Sequence, residues 1–310
     1  LKPLVDRRKG LAQVLEIVPA EDVVTADDKP SFALRRRRQS SMWLAVDAAA
    51  QGRADTVVSA GNTGALLAIS MVAMRMLEGA HRPALASFLP TSRGETVMLD
   101  LGANLECDAE NLAEFAVMGS VFAQVLLGLS EPTVGLLNVG SEELKGHEEL
   151  RQAAMLLRRE GSPVSFHGFV EGNDIGAGKV DVVVTDGFTG NVALKTIEGT
   201  AKLYTSFVRD AFRTSTFAKI GYLFASGAWV KLSKRVDPRR RNGGVFLGLN
   251  GVCVKSHGGA DALGFAYAIG VAIDMVRYEY KNKLVEGLAK LHQVAATDEA
   301  TALQATGGAA

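Results

Sequence analysis

Two glycine-rich turns in the sequence have the composition and spacing of anion-binding turns. One reads Ser-Ala-Gly-Asn-Thr-Gly-Ala from Ser59 and the other Thr-Asp-Gly-Phe-Thr-Gly-Asn from Thr185, so both have the form Ser/Thr-x-Gly-x-Thr-Gly-x. Glycine lets the backbone approach a ligand closely, and the free N–H groups of a helix start carry partial positive charge. We expect each turn to hold an anion, most naturally phosphate, and Thr63 and Thr189 could cap the helices that follow.

Side chains around these turns extend the candidate site. Lys195 follows Asn191 by four residues, which places both on one helical face pointing toward the second turn. A lysine there could offset phosphate charge, or it could simply pair with Glu198 at the surface. Asp186 could orient a lysine or accept a proton from dihydrogen phosphate, or it could only tie down N–H groups of its own loop; we favour a site role. The backbone N–H groups expected to bind the ligand belong to Asn62, Thr63 and Gly64 in the first turn and to Thr189, Gly190 and Asn191 in the second.

Other polar residues lie in predicted loops beside the strand ends. Lys145 could bring a second cation or be an ordinary solvated residue at a helix start. Asn104 could donate to a phosphate oxygen or cap the next helix, whereas for Asp100 we favour a structural role in holding its own loop. His257 could protonate a leaving group, since imidazole titrates near neutrality, or it could be a core histidine. The remaining histidines receive no role; they are His81, His147, His167 and His292.

Several familiar catalytic patterns do not occur in the sequence. It contains no Walker A motif, no GxGxxG fingerprint, and no HExxH or GxSxG pattern. Their absence disfavours a P-loop site, a Rossmann dinucleotide site, a metalloprotease and a serine hydrolase. Cys107 and Cys253 are far apart, and no set of Cys and His has metal-ligand spacing. The sequence therefore predicts neither a metal site nor a cofactor.

Short aliphatic runs alternate with longer helical patterns, which is typical of βαβ units around a mainly parallel sheet. Strands are predicted at 55–58, 84–89, 96–99, 133–138, 164–169 and 180–185, and helices at 63–77, 109–127, 142–160 and 189–208. Near the C-terminus, 245–247 and 252–254 flank an Asn-Gly pair that suits a hairpin. One long helix over 261–288 and a flexible tail at 296–310 are predicted to follow.

Six predicted strands or hairpin arms end in a short turn rich in Gly, Asn or Asp. In open α/β sheets ligands bind outside the carboxyl ends of the strands, so we expect these turns to converge on one crevice, the active site. Any single turn could instead hold its glycines for turn geometry alone. The six turns are 59–64, 100–104, 138–141, 171–174, 185–191 and 255–259.

Charge is balanced over the whole chain but not locally. Among 310 residues, 34 Lys and Arg match 34 Asp and Glu, and a net charge of zero argues against a generally basic nucleic-acid binder. Segment 209–241 nevertheless has nine basic and two acidic residues, a local charge of +7. We expect a single domain over 1–310 that carries a basic amphipathic helical insertion at 203–241.

Helical spacing sorts this basic segment into two faces, at ~100° per residue. The apolar sector includes Tyr222, Trp229 and Leu232, and the opposite sector includes Lys231, Lys234 and Arg235. Such a helix could lie in the interface of an anionic membrane, pack on the core with a solvated basic face, or dock an acidic protein. Gly227 could break the helix and produce a protruding helical hairpin.

Five motifs, given at the end of this paragraph in chain order, resemble those of the acyl-ACP:phosphate acyltransferase family (PlsX type), where ACP is acyl carrier protein. The resemblance covers nearly the whole chain and implies an isocitrate/isopropylmalate dehydrogenase-like α/β fold without nicotinamide chemistry. Family members usually begin with a further strand and a Met-Gly-Gly-Asp turn, which we expect to be missing upstream of Leu1. The motifs are SAGNTGALLA from Ser59, LDLGAN from Leu99, GLLNVGSEELKG from Gly135, TDGFTGNVALKTIEG from Thr185 and KSHGGAD from Lys255.

The resemblance also implies a reaction. Inorganic phosphate would attack the thioester of a long-chain acyl group on acyl carrier protein, giving acyl phosphate for bacterial phospholipid synthesis. The enzyme would be a homodimer, cytoplasmic and peripherally membrane-associated. Phosphate is already nucleophilic and a thioester is activated, so positioning and charge stabilisation should dominate. The alternatives are a phosphotransacetylase-like enzyme that uses acyl-CoA, a nicotinamide-dependent dehydrogenase and a non-catalytic membrane scaffold.

Overall fold

The structure, a computed structural model, describes residues 2–8, 10–228 and 237–307, by backbone alone from 298 onward. The helices are α1 Lys2–Asp6, α2 Leu11–Val14, α3 Pro30–Arg36, α4 Ser41–Ala50, α5 Thr63–Ala73, α6 Ala109–Leu127, α7 Glu148–Leu157, α8 Gly172–Ala177, α9 Gly187–Ala211, α10 Thr216–Phe224, α11 Ala262–Arg277 and α12 Tyr280–Gly307. The strands are β1 Thr56–Ser59, β2 Ala84–Thr91, β3 Gly94–Leu99, β4 Thr133–Leu137, β5 Ser165–Val170, β6 Val182–Val184, β7 Gly244–Leu247 and β8 Val252–Lys255.

Within the described residues, these strands form one mixed sheet in the order β1-β8-β7-β2-β3-β6-β4-β5. Neighbours are parallel in the pairs β1/β8, β3/β6, β6/β4 and β4/β5, and antiparallel in β8/β7, β7/β2 and β2/β3. Helices cover both faces of the sheet. The predicted α/β class with a mainly parallel sheet flanked by helices is therefore confirmed.

Alternation along the strands sorts apolar side chains onto the two faces, because successive residues of a strand point to opposite sides. Val97 and Leu99 of β3 pack with α6, α11 and α12 on one face. Met98 packs with α8 and α9 on the other. Helices α3, α4 and α5 cover the same second face over the other half of the sheet, where they pack against Phe246 of β7 and Cys253 of β8. The result is a three-layer fold with two separate helix groups on its second face.

The strand directions divide the six glycine-rich turns between two edges of the sheet. Since β7 is antiparallel to both β8 and β2, and β2 is antiparallel to β3, strands β1 and β8 run opposite to β3, β4, β5 and β6. The turns after β1 and β8 leave one edge, and the turns after the other four strands leave the opposite edge. The expectation that all six turns converge on one crevice is wrong, because the antiparallel strands β7 and β2 reverse the strand direction between the two halves of the sheet.

The C-terminal helix predicted over 261–288 is two helices in the structure. Helix α11 ends at Arg277 and α12 begins at Tyr280, with Glu279 between them at a φ of 55°. Helix α12 then continues to Gly307, well past the predicted helix end. The flexibility of segment 296–310 stays a prediction.

Helix α6 lies at the centre of the fold. Among the described residues it is the one helix long and apolar enough to span a membrane. In the structure most of it is buried, with Phe115, Met118 and Phe122 in the core between the sheet and α12. Its length and apolarity therefore match a central core position.

The end of α9 and all of α10 form an exposed arm, defined here as residues 199–224. Its large apolar side chains are open to solvent, and Phe217 and Phe224 are 87% and 86% exposed. Of the surface residues predicted from the sequence, Tyr222 lies on this arm and is exposed. The others lie outside the described residues; they are Trp229, Lys231, Leu232, Lys234 and Arg235. The predicted helical hairpin consequently stays a prediction.

Candidate functional site

A buried carboxylate organises the turn after β3. The Asp100 side chain accepts hydrogen bonds of 2.7–3.1 Å from four backbone N–H groups, those of Leu85, Gly102, Ala103 and Asn104. The side-chain amide of Asn104 donates to Asp100 and to the Pro83 carbonyl. Burial raises the pKa of the Asp100 carboxyl, and the hydrogen bonds from its loop oppose that rise. The structural role favoured for Asp100 is confirmed, and Asn104 tethers the turn, whereas α6 is capped by Asp108.

The N-terminus of α9 docks directly on this turn through two glycines. The Gly187 N–H donates to the Asn104 carbonyl at 2.7 Å, and a β-carbon on Gly190 would overlap the Asp100 carbonyl oxygen. Asp186 caps the helix, because its carboxylate accepts from the N–H and the hydroxyl of Thr189 at 2.8 and 2.7 Å. The cap is therefore Asp186, and the expectation that Thr189 caps this helix is wrong.

Asn191 and Lys195 lie together on the exposed side of α9, as their spacing predicts. With Val192 and Thr196 they line a shallow surface depression of about 360 Å³. Gly102, at a φ of +124°, lies so close to Asn191 that a β-carbon on it would be 3.4 Å from the Asn191 amide nitrogen. Asn191 is thus placed beside the Asp100 turn. Lys195 forms an ion pair of 2.9 Å with Glu198, the surface pairing weighed above.

Lys145 lies in the loop that follows β4, at the same sheet edge. Its ammonium pairs with Glu142 at 2.7 Å, and this carboxylate holds the pKa of Lys145 above its usual range. Asn138 fixes the loop, because its amide donates to the Lys145 carbonyl at 3.0 Å. Helix α7 begins only at Glu148, so Lys145 lies before the helix that was predicted to begin at 142.

The turn after β1, at the opposite edge, is held by Asn62. Its side-chain oxygen accepts from the Ala65 N–H at 3.0 Å and so caps α5. Its amide donates to the carbonyls of Ala26 and Asp28. The cap is Asn62, and the expectation that Thr63 caps this helix is wrong. Gly64 packs tightly under Pro30, where a β-carbon would lie 2.9 Å from the proline ring.

His257 lies at this same edge, after β8, and its side chain is exposed. Its Nδ1 accepts from the Gly259 N–H at 3.0 Å, and its own N–H donates to the Asn242 side chain. The core-histidine alternative is therefore wrong. Because β1 and β8 are adjacent, His257 belongs with Asn62, Thr63 and Gly64, and the strand directions place this group away from Asn191 and Lys195.

The sequence reasoning missed three features of these edges. Lys255, the last residue of β8, is half-buried, and burial lowers its pKa; a lysine ending an apolar strand was the available signal. Cys107 lies near the Asp100 turn, and burial, followed by the charges of Asp100 and Asp186, raises the pKa of its thiol to about 12. His81 and His292, which received no role from the sequence, both contact Glu114. Their distance along the chain gave no sign of this grouping.

Comparison with protein families and curated proteins gives one consistent result. A family model described as "Fatty acid synthesis protein" matches residues 1–283. A phosphate acyltransferase of Rhodospirillum centenum is 61% identical over 94% of this chain and 82% of its own length. A phosphate acyltransferase of Paramagnetospirillum magneticum is 56% identical over 92% of this chain and 81% of its own length.

Solved structures with a similar fold include two phosphotransacetylases. The EutD phosphotransacetylase from Staphylococcus aureus superposes with a TM-score of 0.54 at 16% identity, covering 89% of this chain and 83% of that one. A phosphotransacetylase from Streptococcus pyogenes gives a TM-score of 0.53 at 17% identity, covering 78% of this chain and 69% of that one. At such low identity the likeness describes the fold.

Proposed function

The chain belongs to the fatty acid synthesis protein family, and from this premise we propose that it takes a long-chain acyl group from acyl carrier protein and passes it to inorganic phosphate. It is an acyltransferase, and acyl transfer to phosphate is its activity, as the names of its relatives state. The carrier protein as donor and the long acyl chain are our proposal. The resulting acyl phosphate would serve phospholipid synthesis.

The observation that best supports a site for this reaction is the Asp100 turn docked on the start of α9. Helical spacing on α9 puts Asn191 beside Lys195, and the turn lies close to Asn191 at Gly102, so an amide donor and a cation line the same depression. A phosphate oxygen would form a bond to the thioester carbonyl carbon, the C–S bond would break, and the carrier thiolate would take up a proton. Asn191 would donate to the oxyanion and Lys195 would offset phosphate charge. Asp186, with Thr189 and Gly190, would hold the helix start from which these side chains project.

The other candidate residues would contribute from the neighbouring loops. Lys145 would supply a second cation at the same edge, where its ammonium would leave Glu142 and pair with phosphate. Asn104 would act indirectly, by holding the Asp100 turn in place. Asn62, Thr63, Gly64 and His257 would form a separate anion-binding group at the opposite edge, in which His257 would protonate a thiolate released there rather than at the depression on α9. Because β1 and β8 run opposite to β3, these residues form a second group whose part in catalysis requires its own variants.

The choice of donor can be tested by trapping the product. Acyl phosphate reacts with hydroxylamine, so phosphate-dependent hydroxamate formation measures turnover. We expect kcat/KM to be at least ~10-fold higher with palmitoyl carrier protein than with palmitoyl-CoA, because only the carrier protein offers a protein surface to bind. Equal kcat/KM for both donors would favour the phosphotransacetylase-like alternative.

The reaction as proposed uses no acyl-cysteine. At a pKa of about 12 the Cys107 thiol stays protonated at neutral pH, and a thiol is a poor nucleophile. We therefore expect Cys107→Ser to keep hydroxamate formation within about twofold of the wild type. A loss of turnover with unchanged thermal unfolding would contradict direct attack by phosphate.

The exposed arm is proposed to bind an anionic membrane surface peripherally. Phe217, Ile220 and Phe224 recur at helical spacing on α10 and are exposed, a pattern typical of helices that lie in the membrane interface. Basic residues of segment 209–241 would add attraction to acidic lipids. This surface could instead bind the acidic carrier protein.

Vesicle binding distinguishes these two uses of the arm. We expect Phe217→Ser with Phe224→Ser to reduce co-sedimentation with phosphatidylglycerol vesicles at least ~10-fold, because two aromatic anchors are lost. Turnover with soluble acyl carrier protein should be unchanged. Met155→Ser, which alters an exposed apolar residue of α7, is the matched control. Unchanged sedimentation together with a higher KM for the carrier protein would assign the arm to the carrier instead.

We also propose that the chain is a homodimer in the cytoplasm, with the isocitrate/isopropylmalate dehydrogenase-like variant of this fold. Ile269, Ile273 and Val276 form an exposed apolar stripe along α11, which a second copy could cover. Nucleic acid is not among the proposed partners, because the net charge is zero.

A further inference from the structure

Three metal-ligating side chains from distant parts of the chain meet outside the candidate site. His81 lies in the loop before β2, Glu114 in α6 and His292 in α12. The His292 Nε2 is 3.2 Å from the Glu114 carboxylate, His81 Nδ1 contacts the same oxygen, and the ligating atoms all lie within 4.8 Å of one another. We propose that His81, Glu114 and His292 bind a zinc ion.

The burial of Glu114 is the first reason to place a cation here. Its side chain is 1% exposed, and among the ion pairs of the described residues its partners are the two histidines, with no Lys or Arg. A buried carboxylate is costly unless a positive charge is close to it. A divalent ion held between this carboxylate and the two imidazoles would supply such a charge.

Solvent access to the cluster and the number of ligands it offers are the second reason to place a cation here. The His81 and His292 side chains are 62% and 41% exposed, so the cluster opens to solvent on the side away from Glu114. An ion can enter from that side, and water can complete a four-coordinate shell. Ligand atoms at ~2.1 Å from one tetrahedral ion lie roughly 3.4 Å apart. The distance of 3.2 Å between His292 Nε2 and the Glu114 carboxylate is already close to that spacing.

The donor set selects the kind of metal. Two imidazole nitrogens and one carboxylate oxygen suit zinc, which takes such mixed nitrogen and oxygen ligands. Magnesium and calcium prefer shells made of oxygen ligands, so this cluster disfavours them. With three protein ligands from three segments, the ion would fasten the loop before β2 and helix α12 to α6.

That loop connects the cluster to the turn described above. Pro83 is two residues beyond His81, and its carbonyl accepts from the Asn104 amide at 2.7 Å. Leu85 then donates its N–H to Asp100. Zinc bound at the cluster would therefore stabilise the support of the Asp100 turn while taking no part in acyl transfer.

The experiment uses the full chain without a polyhistidine tag, stripped with a chelator and titrated with zinc chloride by calorimetry. We expect one zinc per chain and a higher Tm in zinc, since an ion that binds only the folded state stabilises it. His81→Gln and His292→Gln should each weaken zinc binding by more than the ~10-fold typical of losing an outer-shell partner. His147→Gln and His167→Gln, which change exposed histidines outside the cluster, should bind zinc as the wild type does.

A second readout identifies the ligands without relying on stability. Cobalt in a four-coordinate site absorbs visible light strongly, so the cobalt-loaded wild type should show a band that both cluster variants lack. Circular dichroism of the chelated proteins verifies that each variant is folded. Absence of stoichiometric zinc on the wild type, or equal zinc affinity in His81→Gln, His292→Gln and the wild type, would overturn the proposal.

Discussion

Replacing Asn191 by Ala is expected to reduce kcat for acyl phosphate formation by at least roughly 100-fold, the usual cost of removing one donor to a developing oxyanion. The fold should be unaffected, because the side chain is exposed and lies on the surface depression beside the Asp100 turn. Hydroxamate trapping measures the rate, and urea unfolding measures the stability. Thr196→Ala, which changes another residue lining the depression, is the matched control and should stay within about threefold of the wild type.

Lys195 needs a control of its own because it forms an ion pair with Glu198. If the lysine serves only that surface pair, Lys195→Ala and Glu198→Ala should both leave turnover unchanged. Both should lower the free energy of unfolding equally little, since exposed ion pairs contribute about 0–1 kcal/mol to stability. In the proposed site only Lys195→Ala abolishes turnover, whereas Glu198→Ala frees the ammonium and leaves turnover near that of the wild type. Wild-type rates in both Asn191→Ala and Lys195→Ala would refute this site.

Replacing Asp100 by Ala should produce the largest loss of stability among the variants considered. Four backbone N–H groups would lose their acceptor inside the protein, and the Asn104 amide would keep only the Pro83 carbonyl. An unsatisfied buried donor costs ~1–3 kcal/mol, and water can satisfy some of these groups, so we expect the free energy of unfolding to fall by about 3 kcal/mol or more. Turnover should fall as well, because α9 docks on this turn.

Asp108→Ala provides the comparison for Asp100→Ala. Asp108 is also an aspartate at a loop end, but it accepts from one backbone N–H, that of Asn111, as the cap of α6. Loss of such a cap typically costs ~1 kcal/mol. Equal destabilisation by Asp100→Ala and Asp108→Ala in urea titrations would show that the Asp100 network contributes no more than an ordinary helix cap.

Local sequence signals predicted some elements accurately. The predicted bounds of α6 agree with the structure at both ends, because Asp108 supplies a cap and Gly128 adopts the left-handed conformation that ends the helix. The break at Glu279 had no such signal, since neither Gly nor Pro marks it. A positive φ at a glutamate depends on tertiary packing, in which Tyr280 and Leu284 are buried against α6.

The direction of the strands could not be predicted from the sequence, and it determines which turns lie near the candidate site. The predicted strands were placed correctly to within a few residues, but their pattern does not indicate that β2 returns antiparallel to β3 through Ser92 and Arg93. Helical spacing did predict that Asn191 and Lys195 share one face. It could not predict that Gly190 lets that helix approach the Asp100 carbonyl, because only the fold brings the two turns together.

In the proposed site, helix α9 would set the distance between the reacting groups and any surface that binds the exposed arm. Its 25 residues run without interruption from the capped turn at Asp186 to Ala211, a length of about 37 Å at 1.5 Å per residue. An uninterrupted helix bends only gently over such a length, so its two ends cannot be repositioned independently. A tilt imposed on the exposed arm would therefore also tilt the start of the helix at Gly190. In the proposed reaction, the water-labile acyl phosphate would then form at a fixed distance from the surface that binds the arm.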